Sequence, residues 1–221
     1  MESTLTHAQL VEKVNAFIEK YQSDMNYCHG YDHLQRVSRL AVKIGTIEKA
    51  DCEIVEIAAL LHDIGQVSLA WARRALGKDE SDYQDFITRY LLDTNDHGKI
   101  GAIIARRFLE QAGYPGEKIN RVTLIISEHP TLKQTTLESG VVSDADKLDA
   151  LGATWVARAF QRTNAFDRSL TIESIPEKYF KGKEQFLNFF HSESARKIAE
   201  ERYRFLATFQ EQFQKELNLE A

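Results

Sequence analysis

Proline is scarce in this chain, at three residues in 221, and cysteine is scarcer, at two. Few prolines leave helices uninterrupted. Cys28 and Cys52 are too few for a disulfide framework, which fits a reducing cytoplasm better than export. No apolar run reaches the roughly 18 residues needed to cross a bilayer, so no membrane partner is expected. Residues 1–20 lack a leader's charged start and apolar core. A net charge of −5 removes any global electrostatic argument for binding a nucleic-acid polymer. No repeat, low-complexity tract or linker is present, so a single domain is expected over 1–221.

What the chain does have is helical periodicity. Leu10, Val14, Phe17 and Ile18 repeat at three-to-four spacing behind Thr6, a predicted N-cap. Leu34, Val37, Leu40, Ala41 and Ile44 mark a second helix. A third, from about 52 to 64, follows Asp51 as its cap. Because it is apolar on most faces, it is predicted to be the central helix. Helices over 97–112 and 119–128 flank Gly113 and Pro115. Residues 122–126 have strand-like composition, but their neighbours favour helix. Residues 131–140 read as a loop. One long helix is predicted over 143–163, opening on an acidic first turn that suits the helix dipole. Residues 164–182 look irregular, and a second long helix is predicted over 186–217. Residues 71–90 read as short helices or a mobile segment near the site opening. The expected fold class is all-α: a multi-helix bundle with a metal site between its central helices.

The chemistry centres on Leu60-Leu61-His62-Asp63-Ile64-Gly65. Burying an imidazole and a carboxylate unpaired in an apolar helix costs several kcal/mol. A shared metal ion is one of few ways to offset that. His33, within Tyr31-Asp32-His33-Leu34-Gln35-Arg36-Val37, and the acidic string Ser143-Asp144-Ala145-Asp146-Lys147-Leu148-Asp149 are available as further ligands. Imidazole nitrogen and carboxylate oxygen suit Mn, Fe, Co, Ni, Zn or Mg. Neighbouring helical residues point about 100° apart. They still reach one ion near the helix end, where Gly65 opens the backbone. A bound divalent ion acidifies its water and polarises a phosphoryl oxygen, and both effects help break a P–O bond.

The order of these strings resembles the HD-domain phosphohydrolase superfamily over about 25–165, leaving 166–221 as a C-terminal helical extension. Asp-His-Leu-x-Arg-Val at the start and Asp-Ala-Asp-Lys-Leu-Asp-Ala at the end are similar to a bacterial branch that includes nucleotide pyrophosphohydrolases. The resemblance implies that His33, His62, Asp63 and Asp146 ligate the metal. Asp146 is preferred to Asp144 because it follows a small residue and precedes a basic residue and leucine. Asp144 and Asp149 otherwise read as caps and surface charge, and Asp149 also as a hydrogen-bond partner of a ligand histidine. Some family members hold a second metal with two further histidines. His97 and His129 have that place in the order, and phosphate contact or plain helix-end roles are the alternatives.

Arg36 either grips phosphate or pairs with a carboxylate. Lys147 either neutralises phosphate or faces solvent. His29 and Asp32 orient His33, act on substrate or serve structure. Gly113-Tyr114-Pro115 resembles a signature of a cyclic-dinucleotide phosphodiesterase branch, but no His-His-Glu accompanies it, and turn chemistry explains it. Gln66 stands where several nucleotidases of the superfamily carry an acid, and it cannot act as general acid or base. That leaves metal-bound water unassisted, or helped by a group such as Asp32 or Glu80. His7 and His191 read as surface residues. Residues 66–96 and 164–182 are expected to form the pocket walls, with Arg73 and Arg74 as further phosphate contacts.

The resemblance therefore implies a metal-dependent phosphohydrolase whose small-molecule substrate is a nucleotide. A metal- and nucleotide-binding regulatory domain without turnover is the second reading. A third is a helical interaction module, in which Phe189, Phe190, Phe205, Phe209 and Phe213 dock a partner or a second copy in a homodimer.

Overall fold

A computed structural model describes residues 5–21, 29–66, 96–166 and 169–220. It divides into two compact units, Met1–Ser143 and Asp144–Ala221. That boundary falls inside a helix.

In the first unit, Thr6 caps α1 (His7–Tyr21), its hydroxyl accepting from the Gln9 N–H at 3.3 Å. α2 spans Tyr31–Glu48 and α3 Cys52–Leu61. Asp51 caps α3 by accepting from the Ile54 N–H, and its other oxygen takes a 2.8 Å bond from Arg121. Every residue of α3 from Ile57 to Leu61 is buried. The helix packs against α1, α2 and α5, so the expected central helix is central within this unit. α4 (His97–Gln111) starts from Asp96, whose side chain accepts from the Lys99 N–H. It packs on α5 (Gly116–Glu128) and on a 3-10 turn, Ile64–Gln66. The strand-like stretch 122–126 lies within α5. Among the described residues there is no strand, and no helix is long and apolar enough to cross a membrane.

Gly65 does more than end a helix. A Cβ placed on it would lie 1.9 Å from the His97 carbonyl oxygen and 2.7 Å from the Gly101 nitrogen. Only glycine lets the first turn of α4 come this close to the turn that follows α3.

The helix predicted over 143–163 is two helices, α6 (Leu137–Asp149) and α7 (Gly152–Phe166). Gly152 adopts φ 75°, a left-handed conformation that breaks the run. α6 begins at a residue predicted to be loop, because the Thr136 hydroxyl accepts from the Ser139 N–H at 3.0 Å. The acidic string is thus the end of a helix rather than its first turn, where the dipole disfavours carboxylates. Neighbouring donors offset this in the second unit. Asp149 takes a 2.8 Å bond from Arg158, and Asp144 is held by backbone N–H groups.

That second unit contains α7, α8 (Ile175–Tyr179) and α9 (Glu193–Leu217), with 3-10 segments at Ile172–Ser174 and Lys183–Phe189. Ala159, Ile175, Phe180 and Leu206 form its apolar centre, with Trp155, Phe160 and Phe209 packed against them. The helix predicted from 186 starts only at Glu193, where Ser192 caps it by accepting from the Ala195 N–H. The aromatic residues divide: Phe209 stacks on Phe213 at 5.6 Å, whereas Phe189 and Phe205 are exposed. The expectations for residues 71–90, including Arg73, Arg74 and Glu80, lie outside the described residues.

Candidate metal centre

Four helix ends of the first unit meet around Asp63. α3 ends at His62, its C-cap, and Asp63 follows. His33 lies in the first turn of α2, His97 is the first residue of α4, and His129 is the C-cap of α5. One carboxylate oxygen of Asp63, Oδ2, is hydrogen-bonded to His29 Nδ1 and lies 3.4 Å from Nε2 of both His33 and His62. The other, Oδ1, lies 3.4 Å from His129 Nε2 and 3.5 Å from His97 Nε2. His33, His62, Asp63 and His129 are buried, while the His29 and His97 side chains are 25% and 26% exposed. One side of the cluster therefore faces solvent.

The tautomers follow from the backbone. His62 Nδ1 lies 2.7 Å from the Ala59 carbonyl oxygen, and His129 Nδ1 lies 2.6 Å from that of Ile126. A carbonyl only accepts, so in both rings Nδ1 carries the proton and donates. In the neutral rings each Nε2 then turns a bare lone pair toward Asp63. His97 Nε2 also approaches His129 Nε2, at 3.2 Å. Burial pushes the His97 imidazole down, more than Asp63 raises it, so this ring is neutral at pH 7. Burial pushes the Asp63 carboxyl up, but the surrounding imidazoles, His62 first and then His129, His29 and His33, outweigh it. They hold the group well below the usual carboxylate range. Lone pairs converging on an anion repel unless a cation lies among them.

The donor set fits a divalent ion. Ligand atoms of His29, His33 and Asp63 lie within 4.8 Å of one another, and so do those of His62, Asp63 and His129. Nitrogen and oxygen donors of this kind, each oriented by a backbone hydrogen bond or a packed helix end, suit first-row divalent metals.

The structure brings His33, His62 and Asp63 together, along with His97 and His129. It also places His29 directly on Asp63, a contact the sequence reading did not make. The available signal was a histidine four residues before His33. Asp146 and Lys147 are half-buried residues near the C-terminal end of α6. Burial pushes the Lys147 ammonium down, against the raising effect of Asp144 and Asp146.

Two expectations need correction. Asp144 is not surface charge: it is fully buried, and its oxygens accept at 2.8 Å from the His191 N–H, the Ser192 N–H and the Ser192 hydroxyl. Asp149 is likewise buried rather than exposed, and Arg158 engages it. Arg36 forms a 2.7 Å ion pair with Asp32, whose side chain is largely exposed. His7 pairs with Glu56 at 2.7 Å, and His191 is exposed. Gln66 is half-buried beside the cluster, its N–H donating to the Asp63 carbonyl.

A family model for the HD domain matches residues 30–151, more than half of the chain. The YpgQ protein of Bacillus subtilis is 29% identical over 208 residues, which cover 93% of each chain. The crystal structure of B. subtilis YpgQ in complex with ADP superposes with a TM-score of 0.68 at 26% identity, covering 96% of this chain and 97% of that one. The crystal structure of an HD-superfamily hydrolase from Bacillus thuringiensis gives a TM-score of 0.66 at 25% identity, covering 96% and 99%.

Proposed function

This chain belongs to the HD domain family, and we propose on that basis that it is a divalent-metal-dependent phosphohydrolase acting on nucleotides. The observation that carries the reading is the convergence of imidazole nitrogens on the buried Asp63 carboxylate. The ADP complex of the related YpgQ supports a nucleotide as the substrate class.

In this proposal His33, His62 and Asp63 hold the metal, and Asp146 supplies a further carboxylate by its place in the Ala145-Asp146-Lys147-Leu148 string. Asp144, the rival, already has both oxygens occupied. His97 and His129, near the far oxygen of Asp63, would take a second ion or contact a substrate phosphate. The bound metal would polarise the phosphoryl oxygen and acidify an attacking water. Leu60, Leu61 and Ile64, which flank His62 and Asp63 in sequence, are buried. Gln66 cannot move a proton, and Asp32 is tied to Arg36. We assign proton exchange with solvent to His29, which is hydrogen-bonded to Asp63 and part-exposed.

The test is a panel of nucleoside mono-, di- and triphosphates with Mn, Co, Ni or Mg. Release of phosphate or pyrophosphate that vanishes in His62→Ala is expected. Tight nucleotide binding with no release under any metal would instead make the chain a regulatory domain.

A further inference from the structure

A groove between α4 and α5, within the first unit, has a volume of about 330 Å³ and opens to solvent. Ile103 and Arg106 line it from α4, and Asn120, Thr123, Leu124 and Ser127 line it from α5. These positions stand three or four apart on each helix, so they share a face. Ile103 and Leu124 give it apolar walls, and Leu124 is 40% exposed although it sits mid-helix.

The polar groups surround one cation. Arg106 Nη2 donates to Asn120 Oδ1 at 2.8 Å and to the Thr123 hydroxyl oxygen at 3.2 Å. Both acceptors are neutral. The Glu110 carboxylate stays 3.9 Å from Nη1, between part-exposed side chains, too far for a hydrogen bond. The Thr123 hydroxyl donates to the Ile119 carbonyl at 2.9 Å, and the Ser127 hydroxyl to the Leu124 carbonyl at 2.8 Å. Both hydroxyl protons are therefore engaged by backbone. A guanidinium only donates, so the Asn120 carbonyl oxygen must be the atom that faces it. That leaves the Asn120 amide nitrogen as a donor, and among the described residues nothing accepts from it. The guanidinium is thus anchored at an apolar groove by neutral groups that do not cancel its charge.

We propose that this groove binds a small monocarboxylate with a flat apolar body. The carboxylate would accept from Arg106 Nη1 and the Asn120 amide, with the body between Ile103 and Leu124. One guanidinium matches a single negative charge better than the near-double charge of a phosphate ester. The volume lies at the lower end of the about 300–1,000 Å³ of small-molecule sites, which suits one or two rings. None of the six lining residues belongs to the Asp63 cluster. The ligand would still bridge the helix pair that begins at His97 and is capped by His129. The site does not depend on the phosphohydrolase reading.

The probe is 2-naphthoate, titrated calorimetrically into the full Mn-loaded chain. A Kd below about 1 mM is expected, with the neutral isostere naphthalene-2-carboxamide at least about tenfold weaker. Arg106→Met keeps the apolar stem and removes the charge, and it is expected to weaken naphthoate at least about tenfold. Arg107→Met removes the same charge outside the groove and is expected to stay within about twofold of wild type. Leu124→Glu places a carboxylate on the exposed wall without loss of helix propensity, and it is expected to weaken naphthoate at least about tenfold. This variant decides the matter if Arg106→Met fails to fold by circular dichroism. Naphthoate affinity is expected to be unchanged after Mn is chelated. No binding by wild type, equal binding of the amide, or equal losses in Arg106→Met and Arg107→Met overturns the proposal. Affinity that disappears with Mn does so too, because it places the carboxylate on the metal. Nucleotide turnover enters none of these readings, so their failure leaves the hydrolase reading standing, and the absence of turnover leaves this site standing.

Discussion

Replacing Gly65 with alanine tests how the site is held together, without touching a ligand. The added Cβ would lie 1.9 Å from the His97 carbonyl oxygen, about 1.5 Å short of the 3.4 Å of ordinary contact. The obstructing atoms are backbone, so no side chain can swing aside, and the first turn of α4 must move. His97, the first residue of that helix, moves with it. Overpacking of this kind costs about 1–3 kcal/mol. For a chain of this size that lowers the melting temperature by about 2–4 °C per kcal/mol. Displacing His97 from Asp63 and His129 is expected to weaken Mn binding about tenfold, as loss of a supporting contact typically does. Gly116→Ala is the control, because a Cβ there meets nothing within 4 Å. It is expected to be neutral or to stabilise by up to about 1 kcal/mol. Thermal melts by circular dichroism and Mn titration by calorimetry read both quantities. Gly65→Ala melting within 1 °C of wild type, with unchanged Mn affinity, would refute the close-approach reasoning.

Further outcomes are expected. Asp144→Asn leaves three donors around an amide and is expected to cost about 3 kcal/mol in urea denaturation. Asp146→Asn is expected to stay within about 1 kcal/mol of wild type and lose Mn affinity; the opposite ranking would exchange the two residues' roles. Asp51→Ala removes the cap of α3 and is expected to cost about 1–2 kcal/mol in the same assay. Burial raises the Asp51 carboxyl, but Arg121 and the Ile54 N–H lower it more, so it ends below its ordinary value of 3.8. The folded state therefore binds this proton less readily than the unfolded chain. Its stabilisation is present above pH about 4 and lost as pH falls through the lower folded value, so urea midpoints of Asp51→Asn should lose that dependence on acidification. Finally, removing Mn with a chelator is expected to lower the melting temperature, by about 2.7 kcal/mol of linkage where Mn had been at a hundred times its dissociation constant. An unchanged melt would argue against a metal held in the fold.

What was legible in the sequence was set by local chemistry. Apolar spacing and the Thr6 and Asp51 caps were enough to place α1, α2 and α3, because a cap hydroxyl or carboxylate acts within its own turn. The break at Gly152 was missed because helical periodicity runs through it, and only the left-handed φ reveals the turn. The start of α6 at Leu137 was missed because Thr136 sits in a run of polar residues that looks like loop. The start of α9 at Glu193 depends on Asp144, far away in sequence, fixing the Ser192 turn. The histidine-aspartate string located the centre of the site. His97 and His129 were candidates from their place in the order, but their convergence with His29 on Asp63 depends on how α4 packs against the Gly65 turn and α5 against α3 and α4.

The most direct measurement is an anomalous difference map from crystals grown with Mn, recorded on both sides of its absorption edge. The expected result is a peak bonded to Nε2 of His33 and His62 and to a carboxylate oxygen of Asp63. A chain saturated with Mn but with no density among those side chains, or with the ion elsewhere, would contradict the account.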